Sequence, residues 1–411
     1  MMTNQPATTQ HRSALTSDSR RRPLRIASIG ARGLPSAYSG IERACESLYA
    51  RLAEKGHQIT FYCRPEYAPK GRELYRGVLL EPTRNIATRS LDTLSSVFTA
   101  SIEAAAQGNF DVVHFHAIAP GIFTLFPKMR RLPIVSTIQG LDWQRAKWKG
   151  TASQVIKLGE RCIVRDASRM IVVSRDLKDY YFRQYNRLSS YIPNGVERVN
   201  GNMYAEDAVL REFGLQPQQF MLYLARLVPE KRTDDLIRAY GQVKTDKKLV
   251  IAGEAGYTDA YVAELRRLAS SDPRVIFTGF QKGNAVHTLF HNASTYILPS
   301  ELEGLPLALL EAMSHGTVPI VSDIPPHREL LSPVPGYDLF FNPHDVEGLI
   351  LSLNKVLSEP DRYRKLGGKC RRFVEDNYSW EAITAKTEDL YYDAAAGGPD
   401  KAFDISFGGT P

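Results

Sequence analysis

The chain has 411 residues, 43% hydrophobic and 24% charged. That is enough for two domains with complete cores, and too ordinary a balance for a disordered, collagenous or disulfide-stapled protein. The net charge of +7 hides an asymmetry: through Gly195 there are 29 Lys and Arg against 15 Asp and Glu (+14), and the remainder has 23 against 30 (−7).

Two such halves are expected to meet different partners. The basic half suits an anionic membrane surface or a phosphorylated acceptor, unless it is simply a solvated surface. Cys45, Cys63, Cys162 and Cys370 are scattered without metal-ligand or C-x-x-C spacing, so they read as small buried hydrophobes of a reducing compartment. No apolar run has the length of a transmembrane helix. The polar segment through Pro23 ends in Arg20-Arg21-Arg22 with no apolar stretch behind it, which predicts a disordered basic tail over 1–23 and not a secretory or twin-arginine signal.

In chain order, Leu24 to Gly30 reads as a buried strand, followed by a loop holding Gly33 and Gly40 and a helix from Ile41 to Gly56. Strand, glycine loop and helix form the first unit of a doubly wound sheet, and the helix N-terminus favours a phosphate. The loop is not G-x-G-x-x-G, so a dinucleotide is weakly indicated. Further strands are predicted at His57 to Cys63, more weakly from Val78, at Asp111 to His116, Ile134 to Ile138 and Met170 to Ser174, with helices over Leu91 to Gln107 and Thr151 to Ala167. His114 and His116 fall on one side of their strand. No third ligand has zinc spacing, so they are expected to be packed or to line a cleft, and His116 is kept as the cleft candidate. After Ile138 come Gln139, Asp142, Arg145 and Lys147, at the strand end where open α/β sheets place ligand contacts. A basic surface loop with two partly buried tryptophans is the equal alternative.

The second half restarts with a strand at Phe220 to Leu224, then Arg226 and, five residues on, Lys231 at a helix start. This arrangement sets two cations beside one anion. Strands follow at Leu249 to Gly253, Val275 to Gly279 and Thr295 to Leu298. The last runs into an acidic turn with Glu303, Gly304, Leu305 and Pro306 and then a helix carrying Glu311. Gly304 and Pro306 delay the helix and leave backbone N–H groups free for an anion. One carboxylate at such a turn and another in the helix can hold a molecule with both phosphate and hydroxyls. The alternative is a capping carboxylate and an exposed helical Glu. A strand at Val318 to Ser322 and a final helix from Tyr378 to about Ala394 complete the pattern.

Glu303 and Glu311 stand in the E-x7-E spacing, and "LPSELEGLPLALLEAMSHG" resembles the donor-sugar motif of the retaining GT-B glycosyltransferases of family 4. "GARGLPSAYSGIERACESLYARLAEKGHQITFYCR" and "GLDWQRAKW" are similar to a subgroup that includes bacterial rhamnosyltransferases. "ARLVPEK" resembles the diphosphate-clasping element, with Ala225 for the usual Gly, and "IPNGV" the last element before the interdomain linker. The resemblance runs from Leu24 to about Ala396.

It implies an α/β GT-B fold of two Rossmann-like domains facing a cleft: an acceptor domain at 24–200, a donor domain at 201–377, a helix at 378–396 crossing back to the first domain, and a flexible tail at 397–411. It also implies donor contacts from Gly40, Arg226, Lys231, Glu303, Gly304, Leu305 and Glu311, with Arg226, Lys231 and Glu303 catalytic. Ser39 replaces the first glycine of a family pair, so only Gly40 is carried over. Gln139 stands where many members have His and cannot take a proton. Asp142 would orient the acceptor, and Arg145 and Lys147 would meet a phosphate.

The implied activity is retaining transfer of a hexosyl or rhamnosyl group from a nucleotide-diphosphate sugar to a lipid-linked or oligosaccharide acceptor, in cell-surface polysaccharide biosynthesis. No cofactor, metal or nucleic acid is expected. The implied place is the cytoplasm, with peripheral contact at an anionic membrane. A sugar-nucleotide epimerase of the same architecture and a non-catalytic sugar-nucleotide-binding protein remain the alternatives.

Overall fold

The computed structural model describes residues 21–36, 40–68, 71–86, 92–145, 147–148, 150–199, 208–255, 259–398 and 401–405. Runs of apolar residues buried on both faces, such as Val112–His116, Ile134–Ile138 and Phe220–Leu224, are the signature of parallel strands covered on two sides by helices. They build two sheets.

Among the described residues the first sheet has eight strands in the order β3-β4-β2-β1-β5-β6-β7-β8. These are β1 (Arg25–Ile29), β2 (Gln58–Cys63), β3 (Glu73–Tyr75), β4 (Val78–Pro82), β5 (Val112–His116), β6 (Ile134–Ile138), β7 (Arg169–Val172) and β8 (Ser190–Tyr191). All pairs are parallel except β3 with β4. That hairpin, absent from the sequence reading, turns at Arg76 and Gly77, both with positive φ (48° and 78°), the geometry a tight two-residue turn requires. Its helices are α1 (Gly40–Glu54), α2 (Asp92–Gln107), α3 (Leu125–Met129), α4 (Thr151–Asp166) and α5 (Arg175–Tyr185). The last is capped by Ser174, whose Oγ accepts from Leu177 N.

The second sheet has, among the described residues, six strands in the order β11-β10-β9-β12-β13-β14: β9 (Phe220–Leu224), β10 (Lys248–Ala252), β11 (Val275–Gly279), β12 (Thr295–Leu298), β13 (Pro319–Ser322) and β14 (Phe340–Phe341). Its helices include α6 (Ala208–Glu212), α7 (Thr233–Tyr240), α8 (Asp259–Ala269), α9 (Asn284–Asn292), α10 (Leu307–Ser314), α11 (Pro325–Leu331), α12 (Val346–Ser358) and α13 (Pro360–Asn377). The last helix, α14 (Trp380–Ala396), leaves this domain and buries Trp380, Ile383, Leu390 and Tyr391 in one cluster with β1 and α1 of the first.

Strand order reverses between β1 and β5 in the first sheet and between β9 and β12 in the second. The crevice beyond such a reversal is where doubly wound sheets bind ligands. The two sheets turn these crevices toward each other. A Cβ on Gly304 would lie 1.8 Å from the Gln139 carbonyl oxygen, and one on Gly40 would lie 2.9 Å from Leu307 Cδ1. Only a residue without Cβ permits the first approach.

Of the expected tails, residues 1–20, 399–400 and 406–411 lie outside the described residues, as does Ser39. Residues 401–405 differ from the expected flexible tail. Ile405 N donates to Tyr191 O at 3.1 Å, and Asp404 accepts from Tyr191 N at 2.9 Å, so the segment covers the exposed edge of β8. Arg22 likewise pairs with Asp111 at 2.6 Å. An unpaired strand edge and a nearby carboxylate supplied partners that polarity alone did not reveal.

Candidate active site

The second domain contributes its residues from two adjacent loops. Pairing of β9 with β12 sets Leu224-Ala225-Arg226 beside Pro299-Ser300, and Glu301 N donates to Glu230 O at 3.0 Å to tie the loops together. Tyr223 Oη donates to Arg226 O at 3.1 Å and Tyr296 Oη to Leu224 O at 3.2 Å, so buried phenols fix the backbone under an exposed Arg226.

Lys231 pairs with Glu303. Both side chains are nearly enclosed, 13% and 9% exposed, and a charge so placed needs its partner. Burial pushes the Lys231 ammonium below its usual value against the pull of Glu303, and Arg226 and Arg145 push the same way. Burial works to raise the Glu303 carboxyl, but the Lys231 charge and hydrogen bond, with His327 and Ser300, together outweigh it and hold the group below the usual carboxylate range. Beneath them His327 is wholly buried, its Nδ1 2.8 Å from Ser322 O. Burial lowers it to about 4, against the attraction of Glu303.

The helix after this turn, α10, starts at Leu307 behind Pro306 with no capping side chain. Leu305 is buried, and Gly304 is the point where the second domain meets the end of β6. Glu311, in the body of α10, is paired with Arg43, which reaches across from α1. Gly40, at the start of α1, faces Leu307. The two domains therefore touch along α1, the end of β6 and the Glu303 turn.

The first domain contributes residues from several loops. Gln139 and Asn194 exchange amide hydrogen bonds of 3.2 and 2.9 Å. Asp142 holds Arg145 at 3.3 Å, and Lys147 lies 4.6 Å from the Trp148 ring centroid. Burial lowers the Lys147 ammonium, and the guanidiniums of Arg32, Arg226 and Arg64 lower it further, with Asp92 opposing. Arg64 pairs with Asp92 at 3.2 Å, and its backbone N donates to Arg32 O at 2.7 Å. Cations from the ends of β1, β2, β6 and β9 thus converge on one space.

Arg32, Arg64 and Arg43 were not singled out from sequence. Arg32 stands directly behind the glycine loop, which was the available signal. Arg64 and Arg43 carry none, because only the parallel pairing of β1 with β2 and the closure of α1 on α10 bring them in.

His116 is placed beneath the cleft, not in it. Its ring is 3% exposed, and Nε2 lies 2.7 Å from Tyr49 Oη. The same phenol meets His114 Nδ1 at 3.0 Å, and His114 is held further by Tyr391 of α14 at 2.6 Å and Thr137 at 2.7 Å. Burial keeps His116 neutral, lowered to about 3. The network borders a partly open cavity of about 30 Å³, lined by His114, His116, Gln139, Asn194 and Trp380. The histidines bind helices to the sheet instead of lining the cleft because α1 and α14 close over the end of β5. Among the described residues no cluster of His, Cys, Asp and Glu is arranged to hold a metal.

The comparisons with known proteins come from sequence and from structure. Residues 38–198 match the family Glycosyltransferase Family 4, and residues 210–392 match the family Glycosyl transferases group 1. An uncharacterized glycosyltransferase of Methanocaldococcus jannaschii is 24% identical over 389 residues, covering 90% of this chain and 98% of that protein. The structure of sucrose-phosphate synthase from Thermosynechococcus elongatus superimposes with a TM-score of 0.76 at 22% identity, over 91% of this chain and all of that one. Anabaena HepE, solved in complex with UDP and glucose, gives 0.72 at 16% identity over 90% of this chain and all of its own. The two family matches fall on one sheet each, and the likenesses to the relative and to the two solved structures span both.

Proposed function

We propose that this chain, which belongs to the group 1 and family 4 glycosyltransferases, moves a hexosyl or rhamnosyl group from a nucleotide-diphosphate sugar to a lipid-linked saccharide with retention. The observation that carries the proposal is the Lys231–Glu303 pair beside Arg226 at the reversal point of the second sheet. Two cations fixed at the end of β9 suit a diphosphate, and a carboxylate held ionised beside them suits the hydroxyls of the sugar attached to it.

As the bond between the sugar's anomeric carbon and the diphosphate breaks, negative charge grows on the leaving oxygen. Arg226, Lys231 and the uncapped start of α10 beside Gly304 and Leu305 stabilise that charge. The acceptor hydroxyl attacks from the face the diphosphate leaves and forms the new glycosidic bond. Its proton passes to a leaving phosphate oxygen, a route that asks nothing of Gln139, which has no proton-accepting nitrogen. Glu303 orients the transferred sugar, and Glu311 turns from Arg43 to the ribose when the nucleotide enters. Fixed cations take the charge that a divalent metal would otherwise take, so a chelator should leave the rate unchanged.

On the first domain, Asp142 orients the acceptor, and Arg145 and Lys147, joined by Arg32 and Arg64, receive its phosphate. Gly40 lets α1 approach the donor. Contact of the two faces at Gly304 and Gln139 excludes water and limits donor hydrolysis. A cytoplasmic enzyme working at the inner membrane face, in the assembly of a cell-surface polysaccharide, fits a lipid-linked acceptor. No helix among the described residues is long and apolar enough to cross a membrane.

The test is release of nucleoside diphosphate from dTDP-, UDP- and GDP-sugars, with and without a lipid-diphosphate saccharide. Acceptor-dependent release from one donor is the expected result. Tight nucleotide binding with no turnover on any acceptor would instead favour a binding protein, and conversion of the sugar without an acceptor would favour an epimerase.

A further inference from the structure

We propose that the outer face of α2 and α3 docks this protein on an anionic lipid surface, beside the mouth of the cleft. In its purpose the inference rests on the lipid-linked acceptor proposed above. The surface itself stands on separate observations.

Both helices turn apolar side chains outward one helical turn apart: Phe98 and Ile102 on α2, Leu125 and Met129 on α3, with Met129 71% exposed. Residues four apart share a helix face. The two pairs are continuous. Phe98 meets Phe123 and Phe126 edge-on, both at 5.5 Å, and Arg130, just past α3, lies against Gly108 at the far end of α2. The helices therefore run side by side in the same direction, which puts Ile102 level with α3. Ile86, also exposed, is tied to the first turns of α2 by its N–H to Ser95 Oγ at 2.9 Å. Single exposed apolar residues are ordinary, but a contiguous group on two adjacent helices is not.

Charge selects the occupant. Arg130 and Arg131 are exposed at the α3 end of the patch, and Lys128 beside them is held by Asp166 at 2.5 Å. The acid of this stretch of α2, Glu103, is directed to the strand side, where it faces Glu81, Arg84 and Arg72. Apolar side chains bordered by cations match the boundary between acyl chains and anionic headgroups.

Position gives the docking a consequence. The first residue of α2, Asp92, holds Arg64 of the cationic group at the cleft. Phe98 lies six residues along the helix, about 9 Å at 1.5 Å per residue. A protein seated on this face presents the acceptor side of its cleft to the lipid headgroups, within reach of a saccharide still attached to its lipid.

The experiment is flotation of the full chain with vesicles of phosphatidylcholine alone or mixed with phosphatidylglycerol. The chain should float with the anionic vesicles only, and less as salt is raised. Leu125→Glu with Met129→Glu, both highly exposed and remote from the buried core, should reduce the bound fraction at least about tenfold, and Arg130→Glu with Arg131→Glu should do the same. Absence of flotation, or flotation unchanged in the Leu125/Met129 variant, overturns the proposal. So does a dimer in solution that the same variant dissociates while vesicle binding persists. Transfer to a water-soluble acceptor without a lipid tail separates the two readings. Flotation without any transfer would leave the surface standing and remove the proposed function, and transfer without flotation would do the reverse.

Discussion

The two walls of the cleft are built on different plans. On the second domain Arg226, Lys231 and Glu303 come from two neighbouring loops braced by Tyr223, Tyr296 and the Glu301–Glu230 backbone bond, and Lys231 and Glu303 satisfy each other. On the first domain Arg32, Arg64, Gln139, Arg145 and Lys147 come from the ends of three strands, and the partners of Arg64, Gln139 and Arg145 lie at the start of α2 and in the loops after β6 and β8. A wall whose charges are fixed before anything binds suits a ligand part that never varies, such as a diphosphate. A cation-rich wall on longer loops suits one that does. Replacements should therefore abolish the reaction on one wall and retune it on the other.

The largest effect is expected at Glu303. Glu303→Ala should lower kcat about 1000-fold and also destabilise the fold by about 3 kcal/mol, because it strands the Lys231 ammonium in an enclosed site. Combining Glu303→Gln with Lys231→Met should restore the melting temperature without restoring turnover. Recovery of both would show that the pair is only structural. Arg226→Ala comes next: with its side chain exposed, it should cost about 100-fold in kcat and leave the melting temperature unchanged. Unaltered turnover in that well-folded variant would remove Arg226 from the site.

The comparison should vanish for proton-linked stability, because each wall rests on a buried neutral histidine. His116 is lowered to about 3 and His327 to about 4 by burial, against about 6.5 in an unfolded chain. Below about pH 6.5 the unfolded chain takes up protons that the native one refuses, so this stability is complete above that value and is lost as pH falls toward about 4. Each histidine should cost about 1 to 2 kcal/mol by about pH 5. Chemical denaturation at several pH values, in His116→Asn and His327→Asn separately, should flatten the profile by similar amounts. A single dominant histidine would contradict it.

Lys147→Ala tests the first wall directly. Its ammonium is only one of several cations in that space, so the KM for a phosphate-bearing acceptor should rise about tenfold, with the donor KM unmoved. A rise in the donor KM instead would assign Lys147 to the diphosphate and erase the distinction between walls.

The same difference explains what could be read from sequence. Both sheets were visible in runs of buried strand residues, and the second wall was visible because its pieces are contiguous: Arg226 and Lys231 are five residues apart, and Glu303 to Glu311 form one word. The first wall is assembled across the sheet. Arg64 follows β2, and Arg32 follows β1. Only the register that sets Ser28 beside Phe61 brings them together, and register is a tertiary property. His116 misled for a related reason. Alternation on a strand tells which side a residue takes but not that α1 and α14 will close over that side. The hairpin at Arg76-Gly77 and the segment ending at Ile405 were missed because each is a short stretch that satisfies an edge, with no period of its own.

Gln139 gives the smallest expected effect and the finest test of the comparison. Its amide is bonded both ways to Asn194 and stands over the cavity that holds His116. Gln139→Ala removes one partner from a half-buried pair, at a cost of about 1 kcal/mol in stability, and opens space that water can enter from the adjoining cavity to serve the Asn194 amide. If Gln139 mainly positions the end of β6 against Gly304, both kcat and the acceptor KM should change by no more than about threefold, less than 1 kcal/mol in the transition state. Asn194→Ala should then give the same small change, since it breaks the same bonds from the other side. A loss in kcat of about 100-fold confined to Gln139→Ala would mean that this side chain reaches the reacting sugar, and that the first wall, too, holds a fixed catalytic group.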